Sequence, residues 1–201
     1  MTEFENLIQN AFASAQENMK NLASNQPLIR DIAHAAEAIV SAYEKGGCLF
    51  VAGNGGSAAD AQHLVAELIS RLFKNRDPIR AFALTVDTSI LTAVGNDYGY
   101  ELVFERQVRG LMRPNDVFLA ITTSGNSPNI LKALETCQKM GVTTVVLTGH
   151  DGGKTKGLTK HLLIANGKHT AQIQESHQVI YHTLCHLIEK GLVEKGLCHY
   201  V

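Results

Sequence analysis

The sequence contains no apolar run of about eighteen residues, the length a bilayer-spanning helix needs, and no low-complexity tract. A membrane-spanning protein and a low-complexity chain are therefore not expected. Charge of one sign is also lacking: 18 Lys and Arg stand against 19 Asp and Glu, for a formal charge of −1 and a pI of about 6.7. So weak a field holds neither a nucleic-acid backbone nor an anionic membrane. Any anionic ligand must be gripped locally. The four cysteines, Cys48, Cys137, Cys185 and Cys198, are scattered with no C-x-x-C pair, and each reads as a small buried hydrophobe or an inert surface thiol. The N-terminal "MTEFENLIQN" carries acids where a signal peptide would carry positive charge before an apolar core. A reduced, cytoplasmic setting is the expectation. No Pro- or Ser-rich linker and no internal repeat divides the chain, so its 201 residues are expected to form one domain, with a helical N-terminal extension over about 1–45.

What is present is an alternation of helix and strand signals. Over 3–24, Phe4, Leu7, Ile8, Ala11, Phe12, Ala15, Met19 and Leu22 recur at spacings of three and four, which is one helix stripe. A second, alanine-rich helix is expected over 28–44, stopped by "KGG". Then "CLFVA" reads as a buried strand ending at Gly53, 57–73 as a helix, "IRAFAL" and "DVFLAIT" as strands, and 128–140 as a helix. "TTVVLT" and "HLLIA" are further strands, and a helix over about 170–194 closes the chain. Short strands joined through long helices imply right-handed crossovers: a doubly wound α/β fold whose parallel, five-stranded sheet forms the middle of a three-layer αβα arrangement. In such sheets ligands sit at the carboxyl ends of the strands, where the two unusual loops fall.

The first loop, "GNGGS", follows a strand and opens a helix. Its glycines let a ligand approach the main-chain N–H groups. Gly53, Gly55 and Ala58 fit G-x-G-x-x-G/A, but the acid that a dinucleotide site places about 20 residues on is missing. A tight turn with no ligand is the bland alternative. In the second loop, "TTSGNSPN", Thr122, Thr123, Ser124 and Ser127 bring four hydroxyls to a strand end, and Ser127-Pro128 is an N-cap and first-turn pair. Hydroxyls, free N–H groups and a helix N-terminus together make a phosphate site that needs no lysine. Ser/Thr turns also cap helices without binding anything. A third loop, "TGHDGGKT", imitates a P-loop but has Thr148 in place of the first glycine and no long helix after it, so it reads as a connection, with His150 and Asp151 at the surface.

On the helix that follows the first loop, His63 and Glu67 stand at i and i+4, on one face. The spacing suits two ligands of one metal or an acid/base pair around one substrate; a solvated helix contact is the plain alternative. The closing helix offers Gln174, His177, His182 and His186. Gln174 and His182 lie about 12 Å apart along a straight axis. They share one ion only if both reach inward, if the helix starts irregularly, or if another subunit supplies one of them. His177 and His186 read as buried histidines satisfied by neighbours.

Across "GNGGSAADAQH…E", "TAVGNDYG", "TTSGNSPN", "LTGHDGG" and "IQESHQVIYH", covering nearly the whole chain, the sequence resembles the sugar isomerase (SIS) domain family and, within it, the bacterial isomerases of phosphorylated seven-carbon sugars. The resemblance implies a flavodoxin-like SIS domain in which Asn54, Gly55 and Gly56 contact the sugar, Asn96 and Asp97 contact substrate, and Thr122, Thr123, Ser124 and Ser127 grip the phosphate. It implies one zinc ion per subunit on His63, Glu67, Gln174 and His182, the last three also lining the substrate pocket, and a homotetramer with sites at subunit boundaries. Thr122 stands where serine is frequent and Ala171 where some members carry an acid.

The implied reaction is isomerisation of sedoheptulose 7-phosphate to a manno-configured heptose 7-phosphate, at the head of the route to the heptose of lipopolysaccharide. Glu67 and His182 are expected to divide the proton transfers on opposite sides of the substrate, with zinc polarising the carbonyl. Two rivals share the family. A non-enzymatic member that binds the replication initiator typically lacks the helix carboxylate and the late histidine and has a less glycine-rich first loop, whereas Glu67, His182 and all of "GNGGS" are present here. A sugar-phosphate-sensing regulator would carry a DNA-binding module, for which the resemblance leaves no room.

Overall fold

The computed structural model describes residues 1–201. Helices α1 (Glu3–Ser24) and α2 (Gln26–Glu44) precede β1 (Leu49–Gly53), α3 (Gly56–Ile69), β2 (Ala81–Ala83), α4 (Thr88–Tyr98) and α5 (Val103–Leu111). After these come β3 (Val117–Thr122), α6 (Pro128–Met140), β4 (Thr143–Thr148), β5 (His161–Ile164) and α7 (Thr170–Glu194). All five strands are parallel, in the order β2-β1-β3-β4-β5. That is the flavodoxin-like order, whose direction reverses between β1 and β3. Both glycine- and hydroxyl-rich loops leave the sheet at this switch point.

Alternation along the strands divides the core. Leu49, Val51, Val117, Leu119, Ile121, Val145 and Leu147 face α2, α3 and α7, whereas Phe50, Ala52, Phe118, Ala120 and Val146 face α4, α5 and α6. With both faces covered, the inner strands are apolar at nearly every position, as a buried parallel sheet requires. α1 lies on α7, where the Asn18 amide donates to the Gln172 carbonyl at 3.2 Å and to Ser176 Oγ at 2.9 Å. Its outer stripe remains uncovered: Phe4, Leu7, Ile8 and Phe12 are all exposed. No helix is long and apolar enough to cross a membrane.

The expected elements are found, with three differences. The helix expected to reach 73 stops at Ile69, because the Arg76 guanidinium takes the carbonyls of Glu67, Leu68 and Ser70. The strand expected over 79–84 shrinks to three residues: before it, the N–H groups of Asp77 and Ile79 go to the carbonyls of His199 and Leu68 instead of a ladder. Finally, α4 and α5 had no counterpart in the sequence reading. Asp87 caps α4 by accepting from the Ile90 N–H at 2.9 Å, a signal that was legible. Val103, Phe104, Gln107 and Val108 form the buried stripe of α5.

All four cysteines are buried and free. Burial pushes the Cys137 and Cys185 thiols up to about 12, so they pack as hydrophobes. His177 is also buried, as its reading required, and its ring Nε2 lies 3.0 Å from the Thr148 carbonyl, to which it donates. His186 differs from expectation: it lies at the surface, edge-on to Phe73 with ring centroids 5.0 Å apart.

Burial drives the His177 imidazole down from 6.5 to about 4, the bond to Thr148 opposing this. The unfolded chain therefore binds a proton on this residue where the folded one does not, and stability drains away as pH falls from 6.5 towards 4. The loss attached to this one group is roughly 3 kcal/mol. Urea unfolding midpoints of the wild type are expected to drop across that window, and those of His177→Gln, which keeps an N–H for Thr148 but does not titrate, to drop less. Parallel curves would remove His177 as the source.

Candidate metal and substrate site

β1 delivers Gly53, Asn54 and Gly55 to the carboxyl edge of the sheet, and α3 starts at Gly56. The Asn54 side chain is paired reciprocally with that of Asn129: Asn54 Nδ2 donates to Asn129 Oδ1 at 2.9 Å, and Asn129 Nδ2 to Asn54 Oδ1 at 2.8 Å. The Tyr100 hydroxyl adds a long bond to Asn54 Oδ1 at 3.4 Å. The first loop is thereby strapped to the first turn of α6. Neither Asn129 nor Tyr100 was picked out by the sequence reading, although Asn129 closes the quoted "TTSGNSPN". Gly56 faces α7: a Cβ there would displace the Gln174 side-chain amide.

In the second loop, Thr122 Oγ1 and Ser127 Oγ lie 3.3 Å apart, and Ser124 Oγ accepts from the Asn126 N–H at 3.2 Å. Ser127 occupies the N-cap position, but contrary to the capping expectation its hydroxyl caps nothing in α6. Pro128 follows at the first helical position. The N–H groups of Gly125, Ser127 and Asn129 make no hydrogen bond within the chain. Together with the N-terminal end of α6 they form a ready anion site. The third loop is more than a connection, since its backbone buttresses this one: Thr155 N donates to the Gly125 carbonyl at 3.2 Å, Gly149 N to Thr123 O at 3.1 Å and Lys154 N to Asn126 Oδ1 at 3.1 Å.

Further along α3, His63 Nε2 and Glu67 Oε1 are 3.0 Å apart, with side-chain exposures of 41% and 18%. The rings of His63 and His182 meet at right angles with centroids 5.0 Å apart. Ligand atoms of His63, Glu67 and His182 all lie within 4.8 Å of one another. Buried Tyr181 sits behind them, its hydroxyl 2.9 Å from His63 Nδ1. Burial, and then the charge of Asp60, push its phenol up to about 12, so it stays protonated. With its proton on Nε2, His63 donates to Glu67 and accepts from Tyr181. With the proton on Nδ1 it donates to Tyr181 and turns a lone pair towards the cluster, the form a metal requires.

His182 Nε2 is buried with no hydrogen-bond partner. Burial and neighbouring His63 hold its imidazole below the ordinary range, with Glu67 pulling the other way. A neutral imidazole with an orphaned ring nitrogen, a second imidazole and a carboxylate make a His₂Glu donor set. This is the ligand chemistry of a zinc site that keeps a position open. The residues fit the metal.

Three of the four expected ligands thus meet in one chain. The Gln174 amide lies against Gly56, at the start of α3. Asn96 and Asp97 lie exposed near the end of α4, where the Asn96 amide donates to Asp97 Oδ1 at 2.8 Å. A cleft of about 770 Å³ lies elsewhere, beside Lys45, Asn115, Thr143 and His161. The two loops lie at the carboxyl edge, and the cluster lies two and three turns down α3 from it.

The SIS domain family model matches residues 12–149. The chain is 46% identical to a phosphoheptose isomerase of Akkermansia muciniphila over 92% of its own length and 96% of that protein's. It is 47% identical to one of Aquifex aeolicus, over 83% and 87% respectively. Among solved structures, a phosphoheptose isomerase of Francisella tularensis superposes with a TM-score of 0.88 at 38% identity, covering 94% of this chain and 100% of that one. The corresponding protein of Neisseria gonorrhoeae superposes at 0.86 and 37%, covering 93% and 99%.

The buttressing of the hydroxyl loop is open to a direct check. Gly125 has φ of +64°, and a Cβ on it would run into the Gly152 carbonyl oxygen. Gly125→Ala is expected to cost about 2 kcal/mol or more, read as a lowered urea midpoint, whereas Gly141→Ala, with a φ of +71° but open space around it, should cost less.

Proposed function

We propose that this chain, which belongs to the SIS-domain family and within it to the phosphoheptose isomerases, converts sedoheptulose 7-phosphate into D-glycero-D-manno-heptose 7-phosphate. This would be the first step towards ADP-heptose and the lipopolysaccharide core, carried out in the cytoplasm. The observation that carries the proposal is the meeting of Glu67 with His63 and His182, from helices far apart in the sequence, on the same α3 that the glycine-rich loop opens.

Isomerisation moves one proton from C1 to C2 and passes the O1 hydroxyl proton to O2, through an enediolate. Thr123, Ser124 and Ser127, with the free N–H groups at the start of α6 and buried Thr122 behind them, hold the phosphate. Binding energy at that end orients the reacting carbons. Gly55, Gly56, Asn96 and Asp97 hold the sugar hydroxyls. Asn54, its side chain already paired with Asn129, shapes the loop as much as it contacts substrate. Glu67 takes the C1 proton and returns it to C2, and His182 serves the hydroxyl protons. A zinc ion on His63, Glu67 and His182 supplies Lewis-acid polarisation of the carbonyl when bound.

Gln174 completes both the ligand set and the substrate pocket in an assembled homotetramer. Two features support this assembly: the site is open in a single chain, and α1 exposes Phe4, Leu7, Ile8 and Phe12 in one stripe. An uncovered apolar helix face of this kind marks an interaction surface.

Purified protein is expected to isomerise sedoheptulose 7-phosphate, to lose that activity on treatment with a chelator, and to regain it with zinc. Glu67→Gln should reduce turnover at least 10³-fold, roughly the loss expected for a proton-transfer residue, while still binding the phosphosugar by calorimetry. Normal turnover in that variant would take Glu67 out of the mechanism. Introducing charge with Ile8→Glu and Phe12→Glu should shift the protein from tetramer to smaller species in light scattering; an unchanged mass would place the subunit contacts elsewhere.

A further inference from the structure

Arg76 lies outside the site, yet it is among the most thoroughly bonded side chains in the protein. Its guanidinium is 1% exposed, and its partner Glu189 is 2% exposed. Nε donates to Glu189 Oε2 at 2.9 Å, Nη2 to the Glu67 carbonyl at 2.7 Å, and Nη1 to the carbonyls of Leu68 at 2.7 Å and Asp77 at 2.9 Å. One planar group therefore collects the last carbonyls of α3, including that of Glu67 itself, and ties them to α7. Glu189 stands seven residues beyond His182, two turns along the same face of that helix. The C-terminal segment covers the arrangement: Asp77 N donates to the His199 carbonyl and Val201 N to that of Asn75, both at 3.0 Å.

A buried ion pair is a poor device for stability alone, because desolvating two charges offsets most of their attraction, and an apolar pair of similar volume is often as stable. Its better use is to fix a register. Here the elements registered are the two helices that carry His63, Glu67 and His182. We propose that Arg76 is a positioning residue: by clamping the C-terminus of α3 to Glu189, it sets the offset of Glu67 against His182 and so fixes the geometry of their metal cluster. This inference rests on reading those three side chains as metal ligands. Lysine cannot substitute, since a single ammonium lacks the fork that reaches Glu189 and three carbonyls at once.

The test uses cobalt(II) as the probe, in the full chain. Two variants are compared with wild type: Arg76→Lys, and the apolar pair Arg76→Met with Glu189→Leu, which avoids leaving a buried charge unpaired. Circular dichroism and light scattering check fold and assembly, and titration of the visible cobalt absorption reads affinity and coordination. Folded variants are expected to bind cobalt about 10–100-fold more weakly, the usual effect of losing support around a ligand, with an altered visible spectrum. A purely structural role would leave both unchanged in any variant that folds. Wild-type affinity and spectrum in the folded variants overturn the proposal, as does failure of both to fold where the wild type does, which would make the pair a stability element. If the wild type itself binds no cobalt, the metal reading of the site falls first and takes this inference with it.

Discussion

A carboxylate and two imidazoles can act on one substrate only if the two helices that carry them lie side by side in a fixed offset. Most of the architecture around the site serves that constraint. α3 is anchored at its start by the end of β1 and at its finish by the Arg76 guanidinium, and α7 packs beside it in the same half of the core. The offset places His63 and Glu67 level with His182, and the same offset places Gly56 level with Gln174. One packing relation thus locates both the reactive cluster and the side chain that faces the first loop.

The second requirement is to hold an anion on a nearly neutral protein. No lysine or arginine takes part in the hydroxyl loop, and a net charge of −1 supplies no long-range attraction. In the proposed function that work is assigned to main-chain N–H groups freed by the loop's shape, to hydroxyls, and to the dipole of α6. A loop that spends so few of its polar groups internally must be held from outside. The backbone of the 148–155 segment does this through Gly125, Thr123 and Asn126, and the Asn54–Asn129 amide pair ties the loop's helix to the first loop. The two ligand-facing loops are therefore one mechanical unit. Shape is fixed by groups that have no part in the chemistry.

Legibility in the sequence followed the range of the interactions. The helix over 128–140 and the strand over 143–148 could be placed to the residue, because proline at the start, glycine at the end and a run rich in β-branched residues are local signals. The end of α3 could not be placed, because the group that stops it lies six residues after Ser70 in a loop and is held there by Glu189. His186 has the sequence character of a core histidine but falls on the outer face of α7, whereas His177 falls on the inner one. Only the packing direction of the helix separates them.

The residues of this chain determined by themselves an alternating α/β order, two loops with ligand-binding chemistry, and a His63–Glu67 pair on one helix face, since each depends on periodicity over a few neighbouring positions. Tertiary structure alone decided that His182 joins that pair while Gln174 meets Gly56, and that Asn129 restrains Asn54. These outcomes depend on distances across the sheet and between helices far apart in sequence, which no local pattern encodes.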